Sequence, residues 1–489
     1  MSYLELLRLV APEAILVLSA LIVLAVGLTK TGVAGFCTGL AAAGLLFAAA
    51  AIVALPREAT LFHGMLVISP LNSLFKIICL ALAFFTVLLA RTEGRSPNNG
   101  EYLALILLAT VGLLLLVGSE ELLMIFIGLE LTGLSLYILT AFDRSNLFSA
   151  EAGLKYFLFG STASAFTLFG LSLIYGMCGT TALAEIGAKI VSQPLSPLLF
   201  VGIVMTLVGF AFKIAAAPFH LWAPDAYQGG PIPSAAFIAS GSKVASFVIL
   251  GKVVLLGFGP DGGNAAWHAL VIGWKPVLAA LAALSIVLGN FVALVQTNVR
   301  RLLAYSAVAH AGYSLLGLIA GGREGFSATL FYTTSYAFTL VGAFGVVEFV
   351  RRATGGDDLQ NFAGLRARSP VAAAAMAVFL LSLAGLPPLA GFFGKFYLFS
   401  AALRSGANHG LLWLVVLALF GSLVSLYYYL ILLKMIFVER ADGAANFSDA
   451  GANRAPYLSQ AIVGLLALVI LLLGLWPSSL VAPIVEALR

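Results

Sequence analysis

The chain consists largely of apolar runs separated by short polar connections. A transmembrane helix needs ~20 consecutive apolar residues, and about fourteen such runs occur along the chain. Hydrophobic residues make up 61% of the sequence and charged residues only 10%, against roughly 25% charged residues in soluble domains. The runs lack the two-residue alternation of transmembrane β-strands. We therefore predict an all-α integral membrane protein with one polytopic domain over residues 1–489.

Basic residues in the connections predict the orientation of the chain. With the thirteen connections numbered in order, the odd ones carry twelve Lys and Arg residues, and the even ones together with the termini carry seven. The odd set is Lys30, Arg91, Arg95, Arg144, Arg300, Arg301, Arg351, Arg352, Arg366, Arg368, Arg440 and Arg454. The even set is Arg8, Arg57, Lys189, Lys275, Arg323, Arg404 and Arg489. Because cytoplasmic loops carry the excess of Lys and Arg, we expect both termini to lie outside the cytoplasm.

Two of the spans carry helix-breaking residues. The seventh contains Pro218, and the twelfth contains Gly385-Leu386-Pro387-Pro388. Proline removes a backbone hydrogen bond, and in lipid the freed carbonyls must face protein or a water-filled cavity. Broken helices at corresponding places in two halves are typical of transporters built from repeats. The breaks are five spans apart, and an odd offset inverts the orientation. We therefore predict two inverted five-helix repeats, over residues 101–258 and 268–438.

Seven ionisable residues lie inside the apolar runs, where each charge costs on the order of 3 kcal/mol. They are Glu130, Lys76, Lys155, Lys213, Lys243, Lys252 and Lys395. Such residues usually serve to move protons or ions. We expect Glu130 and Lys213, each deep in its span, to act as a pair. Burial disfavours the charged form of a lysine and a nearby carboxylate favours it, so separating the two would release a proton.

The other intramembrane lysines differ in depth. Lys243 lies near mid-span and is a candidate for lateral relay, and Lys395 follows the break in the twelfth span. Lys252 comes nine residues after Lys243 and points to the opposite side of the helix, so we expect it to be structural or to extend to the membrane surface. Lys76 lies near a span end, and we expect it to extend to the surface as well.

Lys155, His220 and His310 are further candidates for the relay. Histidine titrates near physiological pH, so either histidine is suited to bridge two lysines. The alternative for each histidine is a structural hydrogen bond within the bundle. For Lys155, which lies near the start of its span, the alternative is an extended side chain that reaches the membrane surface.

No sequence feature predicts a cofactor, a metal or a nucleic acid. The three cysteines, Cys37, Cys79 and Cys178, form no C-x-x-C pair, which argues against zinc and iron–sulfur ligation. No flavin, haem, quinone or nucleotide motif is recognisable. The net charge of +5 is spread over loops and forms no basic patch with interleaved aromatic residues.

Several motifs resemble the antiporter-like membrane subunits of respiratory complex I, the NADH–quinone oxidoreductase. The resemblance extends from about Leu71 to Phe437. The motifs are Gly128-Leu-Glu130 with Leu136-Tyr137, Glu151-Ala-Gly-Leu-Lys155-Tyr-Phe, Pro218-Phe-His-Leu-Trp-Ala-Pro-Asp-Ala-Tyr-Gln-Gly229, Asn298-Val-Arg-Arg-Leu-Leu-Ala-Tyr-Ser-Ala-Val-Ala-His310 and Ser382-Leu-Ala-Gly-Leu-Pro-Pro388.

Within this family the N-type branch is the most similar. Lys155-Tyr-Phe-Leu, Asp225-Ala-Tyr-Gln-Gly and Gly394-Lys395-Phe-Tyr-Leu resemble that branch. M-type subunits typically carry glutamate where this chain has Lys395, and L-type subunits carry a long C-terminal extension with a lateral helix. The D-type subunit of multisubunit sodium/proton antiporters also carries a lysine there, so that family is the alternative.

The resemblance implies a proton-translocating subunit without redox chemistry of its own. It implies that Glu130 and Lys213 pair in a first half-channel, that Lys243 is the central relay and that Lys395 is the exit of a second half-channel. Flavin, iron–sulfur clusters and quinone would lie in other subunits. The implied partners are the K-type and M-type subunits, the lateral helix of the L-type subunit, and the lipid bilayer.

Overall fold

The computed structural model describes residues 3–29, 34–93, 98–192, 195–259, 262–405, 409–440 and 457–488. Within these ranges, 12 helices are long and apolar enough to cross a membrane. They are Ala11–Thr29 (α2), Ala34–Val53 (α3), Pro70–Glu93 (α4), Asn99–Gly118 (α5), Leu122–Thr140 (α6), Leu147–Cys178 (α7), Ile232–Gly257, Trp274–Leu294 (α13), Val299–Ala320 (α14), Gly322–Thr354 (α15), Leu412–Phe437 (α19) and Tyr457–Leu475 (α20).

Two further crossings are broken helices, as predicted. The seventh is formed by Pro197–Lys213 (α9) and Trp222–Gly229 (α10), and the twelfth by Pro370–Ala384 (α17) and Ala390–Arg404 (α18). The predicted all-α membrane fold with about fourteen crossings is confirmed. The inverted repeat and the orientation stay predictions.

Both broken spans begin in the same way. Ser196 and Ser369 each accept a hydrogen bond from the backbone amide three residues later, at 3.2 Å and 3.3 Å. A proline follows each serine at the first helical position. A serine cap satisfies a free helix amide, and proline at this position loses no helical hydrogen bond. The start of each broken span is therefore specified by its local sequence.

Several shorter elements connect or flank these crossings. They are Tyr3–Leu9 (α1), the antiparallel strands Ala59–Leu61 (β1) and Leu66–Ile68 (β2), Leu183–Ser192 (α8), Leu365–Arg368 (α16) and Ser478–Ala487 (α21). Four basic residues that contributed to the predicted orientation, Lys30, Arg95, Arg454 and Arg489, lie outside the described residues.

Three helices form the centre of the molecule. In Ile232–Gly257, α14 and α15, 94% of the most apolar stretch is buried, against 28% in α2. The first of them comprises Ile232–Phe237 (α11), Lys243–Lys252 (α12) and two π-helical segments. The π-helical segments, Ile238–Ser242 and Val253–Gly257, flank α12. Inserted π-turns occur frequently at functional sites. The central helices carry Lys243 and His310, so these two candidate residues lie in the protein interior.

Candidate functional site

Glu130 and Lys213 line one small cavity between α6, α7 and α9. The cavity has a volume of about 20 Å³, which is room for about one water molecule. The Lys213 ammonium is buried and donates to the Leu129 carbonyl at 3.3 Å. The Glu130 carboxylate instead accepts a short hydrogen bond from the Ser164 hydroxyl. The structure therefore brings the expected partners to one cavity without closing an ion pair between them.

Lys243 is buried at the start of α12. Its ammonium donates to the Ala307 carbonyl of α14 at 2.6 Å and lies 5.4 Å from the centre of the Tyr336 ring. A cation over an aromatic face is attracted by the ring quadrupole. Among the described residues, no carboxylate forms an ion pair with Lys243. Neutral groups alone therefore hold this lysine.

Lys395 lies at the break in the twelfth span. Its ammonium donates to the carbonyls of Leu383 and Ala384 at 2.9 Å and 3.0 Å, and to the Ser422 hydroxyl at 2.8 Å. It also lies 5.2 Å from the centre of the Tyr313 ring. The two carbonyls belong to the last turn of α17, the negative end of that helix dipole. The helix break thus creates the acceptor groups that hold Lys395.

His310 is hydrogen-bonded through both of its ring nitrogens. Its Nδ1 lies 2.7 Å from the Tyr332 hydroxyl, and its Nε2 lies 3.2 Å from the Tyr429 hydroxyl. The Tyr429 hydroxyl also lies 2.5 Å from the Ser306 hydroxyl. Neutral imidazole donates through one nitrogen and accepts through the other. The ring is therefore placed to take a proton on one side and release one on the other.

His310 also lies between the two buried lysines of the second half. Its ring centre is 4.9 Å from that of Tyr336, which packs under Lys243, and 5.5 Å from that of Tyr313, which packs under Lys395. The structure thus brings together three of the residues that the sequence singled out.

Two central hydroxyls have no protein partner within the described part of the chain. They belong to Thr334 and Tyr336, both on α15. Buried hydroxyls that lack a protein partner are generally satisfied by ordered water. Sequence reasoning did not include the tyrosines of this region. The spacing of Tyr332 and Tyr336, one helical turn apart on α15, was the available signal.

Lys155 lies outside this buried group. Its side chain is half-exposed, and it forms ion pairs with Glu151 at 2.7 Å and with Asp225 at 2.8 Å. Asp225 also pairs with Arg301 at 2.7 Å. This network joins α7, α10 and α14. Sequence reasoning did not identify Asp225 as a partner of Lys155, because the two residues are 70 positions apart in the chain.

His220 lies in the break between α9 and α10. It is buried, its ring centre is 6.2 Å from that of Tyr305, and its Nδ1 has no hydrogen-bond partner among the described residues. The structure does not bring His220 into contact with His310. Its predicted part in the relay therefore stays a prediction.

Two ion pairs that involve buried lysines were not foreseen. Lys76 pairs with Glu13 at 2.6 Å, and Lys252 pairs with Glu120 at 3.2 Å. The expectation that Lys76 reaches the membrane surface is wrong, because the side chain is buried against a carboxylate from α2. Lys252 is buried as well, which leaves the structural alternative for it. The signal for Lys76 was an acidic residue within the first apolar run.

Residues 119–424 match the protein family described as NADH:quinone oxidoreductase/Mrp antiporter, transmembrane. Over 494 aligned residues the chain is 47% identical to NADH-quinone oxidoreductase subunit N 2 of Acidobacterium capsulatum, and the alignment covers 98% of each chain. A chain of respiratory complex I from Thermus thermophilus with bound aureothin superposes with a TM-score of 0.78 and 33% identity, over 96% of this chain and 98% of that one.

A chain of the Mrp complex from a Dietzia species superposes with a TM-score of 0.81 at 22% identity, over 98% of this chain and 52% of that chain. At this level of identity the likeness shows a common fold. Glu130, Lys213, Lys243 and Lys395 all lie within the residues that match the family.

Proposed function

The chain belongs to the NADH:quinone oxidoreductase/Mrp antiporter family, and from this premise we propose that it is a proton-translocating subunit in the membrane part of NADH–quinone oxidoreductase. The relatives named subunit N support this assignment. In this proposal the chain spans a bacterial inner membrane with both termini periplasmic. It contacts the K-type and M-type subunits and the lateral helix of the L-type subunit. Flavin, iron–sulfur clusters and quinone belong to other subunits, and no redox step occurs on this chain.

The observation that carries the proposal is the way three buried lysines are held. Lys213, Lys243 and Lys395 donate to carbonyl or hydroxyl oxygens, and within the described residues none forms an ion pair. Intramembrane ionisable residues are expensive and generally functional. A lysine held by neutral acceptors can lose its proton without leaving a buried carboxylate uncompensated.

The proposed mechanism begins with a charge change in a neighbouring subunit, which alters the interaction between Glu130 and Lys213. Lys213 then passes a proton through water to Lys243. The central residues carry it onward, since His310 contacts the tyrosines under both Lys243 and Lys395. Lys395 then releases it on the outer side. When Glu130 and Lys213 interact again, the carboxylate favours the charged form of the lysine, which takes up a new proton from water.

Replacement of Lys213 by alanine tests the proposal. We expect vesicles with the assembled oxidoreductase to oxidise NADH while moving fewer protons per electron, because the first donor is missing. Lys434→Ala is the control, since Lys434 forms an exposed ion pair with Glu439 at 2.9 Å. An unchanged proton yield in Lys213→Ala would disprove the proposed role.

The second candidate is a D-type subunit of a multisubunit sodium/proton antiporter. The Dietzia Mrp chain shares the fold, and Lys395 fits both families. This candidate predicts sodium-dependent exchange without NADH. Purification in mild detergent distinguishes the two, because copurifying flavin or iron–sulfur subunits are expected for the oxidoreductase alone.

A further inference from the structure

Four charged residues outside the proposed relay form two ion pairs, in which every side chain except that of Glu120 is buried. Lys76 and Glu13 have 2% and 5% of their side chains exposed, and Lys252 has 4%. Glu120, the partner of Lys252, is 32% exposed. The residues come from α4, α2, α12 and the connection between α5 and α6. Removing charges from water costs several kcal/mol per ion. Two such pairs inside a membrane bundle therefore require an explanation.

The two pairs meet at one end of α5. The Lys252 ammonium donates to the Val117 carbonyl at 3.0 Å. Lys76 packs against Gly118, the residue that follows Val117. A Cβ atom built on Gly118 would lie 2.9 Å from the Nζ atom of Lys76. Both ammonium groups thus lie at the C-terminal end of α5, where the helix dipole is negative. We call Glu13, Lys76, Glu120 and Lys252 the α5-end cluster.

The α5-end cluster has a buried end and an open end. At the buried end, the Oε2 atom of Glu13 has no hydrogen-bond partner among the described residues. At the open end, Glu120 and Lys252 line a cavity of about 540 Å³. A buried carboxylate oxygen without a donor is energetically unfavourable, and binding a proton or a hydrogen-bonded water relieves this cost. One end of the cluster therefore offers a buried acceptor for a proton, and the other end lines a cavity.

The α5-end cluster shares a helix with the proposed relay. Lys243 and Lys252 are the first and last residues of α12, and a π-helical segment adjoins each of them. Nine residues of helix extend over about 13 Å. The relay and the cluster therefore lie at opposite ends of one rigid element.

We propose that the α5-end cluster is a second proton-binding site, which exchanges protons with one aqueous face through the cavity beside Lys252. The inference rests on the function proposed above. Two lysines and two carboxylates give the empty cluster a net charge of zero, and one bound proton neutralises a carboxylate and leaves a net charge of +1. The other charged residues that line the cavity are Lys275 and Arg323.

Removing either charge at the open end tests the proposal. The measurement is the number of protons moved per NADH oxidised, in vesicles with the assembled oxidoreductase. We expect this yield to fall in Glu120→Gln and in Lys252→Met, each time by at least half as much as it falls in Lys213→Ala. NADH oxidation should continue. Glu324→Gln is the matched control, because Glu324 forms an exposed ion pair with Arg404 at 3.9 Å and does not line the cavity. A normal yield in both test variants, beside a lowered yield in Lys213→Ala, overturns this inference alone.

A second experiment separates proton binding from a structural need for negative charge. The native cysteines Cys37, Cys79 and Cys178 are buried. Within this chain, a membrane-impermeant methanethiosulfonate reagent that carries a sulfonate therefore selects Glu120→Cys. The same treatment of the complex without this substitution measures the effect of the reagent on other subunits. The sulfonate restores the negative charge and binds no proton at neutral pH, whereas Glu120→Asp keeps a group that does. We expect Glu120→Asp to retain the yield and the sulfonate to leave it low. Full recovery with the sulfonate overturns the proposal.

Discussion

Buried lysines are held in two different ways in this protein. Lys76 and Lys252 face carboxylates, whereas Lys213, Lys243 and Lys395 donate to neutral oxygens. Breaking a buried ion pair leaves an uncompensated charge and costs about 3–5 kcal/mol. A hydrogen bond from a charged ammonium to a neutral oxygen contributes only about 1.5–3 kcal/mol. Lys213, Lys243 and Lys395 can therefore lose a proton at lower cost than Lys76 or Lys252, which fits a relay.

Replacement of His310 by glutamine tests the centre of the relay. Glutamine can hydrogen-bond to Tyr332 and Tyr429 but does not titrate, so the packing is retained while proton transfer is lost. We expect the proton yield per NADH to fall towards that of a Lys395→Met variant. His268→Gln is the control, because His268 is exposed. If His310→Gln pumps normally, protons reach Lys395 by a route that avoids this ring.

At the scale of elements, the break in the twelfth span positions Lys395. Helix α17 ends at Ala384 and is capped by Gly385. The φ of Gly385 is 86°, which is left-handed, and its amide donates to the Leu381 carbonyl. Glycine adopts this conformation without steric cost. The chain then turns and leaves the last carbonyls of α17 free to accept from Lys395. A backbone feature thus determines where an ammonium group lies.

Gly385→Ala and Gly355→Ala form a matched pair that tests this view. Each glycine has a left-handed φ at the end of a helix, so each substitution is expected to cost about 1–2 kcal/mol. A Cβ at Gly385 would lie 2.9 Å from Cδ of Lys395, whereas a Cβ at Gly355 meets nothing within 4 Å. We expect both variants to lose similar thermal stability, measured by unfolding in detergent. Proton yield should fall in Gly385→Ala only, and an equal fall in both would refute a specific effect on Lys395.

Much of the fold follows from local signals, and parts of the site do not. Apolar runs and prolines predicted the fourteen crossings and both breaks, because membrane insertion and helix breaking are decided within about twenty residues. The Lys76–Glu13 pair joins residues 63 positions apart, and its geometry depends on how α2 packs near α4. The contacts between His310 and the tyrosines around it likewise depend on how the helices pack. The depth of a charge was predictable, but its partner was not.

At the scale of the whole molecule, polar groups are concentrated in the centre. The three central helices are almost wholly buried, although they carry Lys243, His310 and many hydroxyls. These helices are Ile232–Gly257, α14 and α15. The peripheral helices α2 and α7 are more apolar and more exposed. In lipid there is little hydrophobic force between helices, so packing and hydrogen bonds hold such a bundle together. The groups that bind the helices to one another are therefore also those available for proton transfer.

A double variant tests whether the buried lysines act in one series. If Lys213 and Lys395 lie on one path, either Lys213→Met or Lys395→Met interrupts it. The double variant should then lose no more proton yield than the worse single variant, because residues that act as a unit are strongly non-additive. If instead each half of the protein moves its own protons, the two losses should add.

The measurement is the number of protons moved per NADH oxidised in the unmodified protein, the two single variants and the double variant. Lys434→Met is the control for loss of an exposed lysine. Additive losses would replace the single relay by two independent channels, and no loss in any variant would leave the lysines a purely structural role.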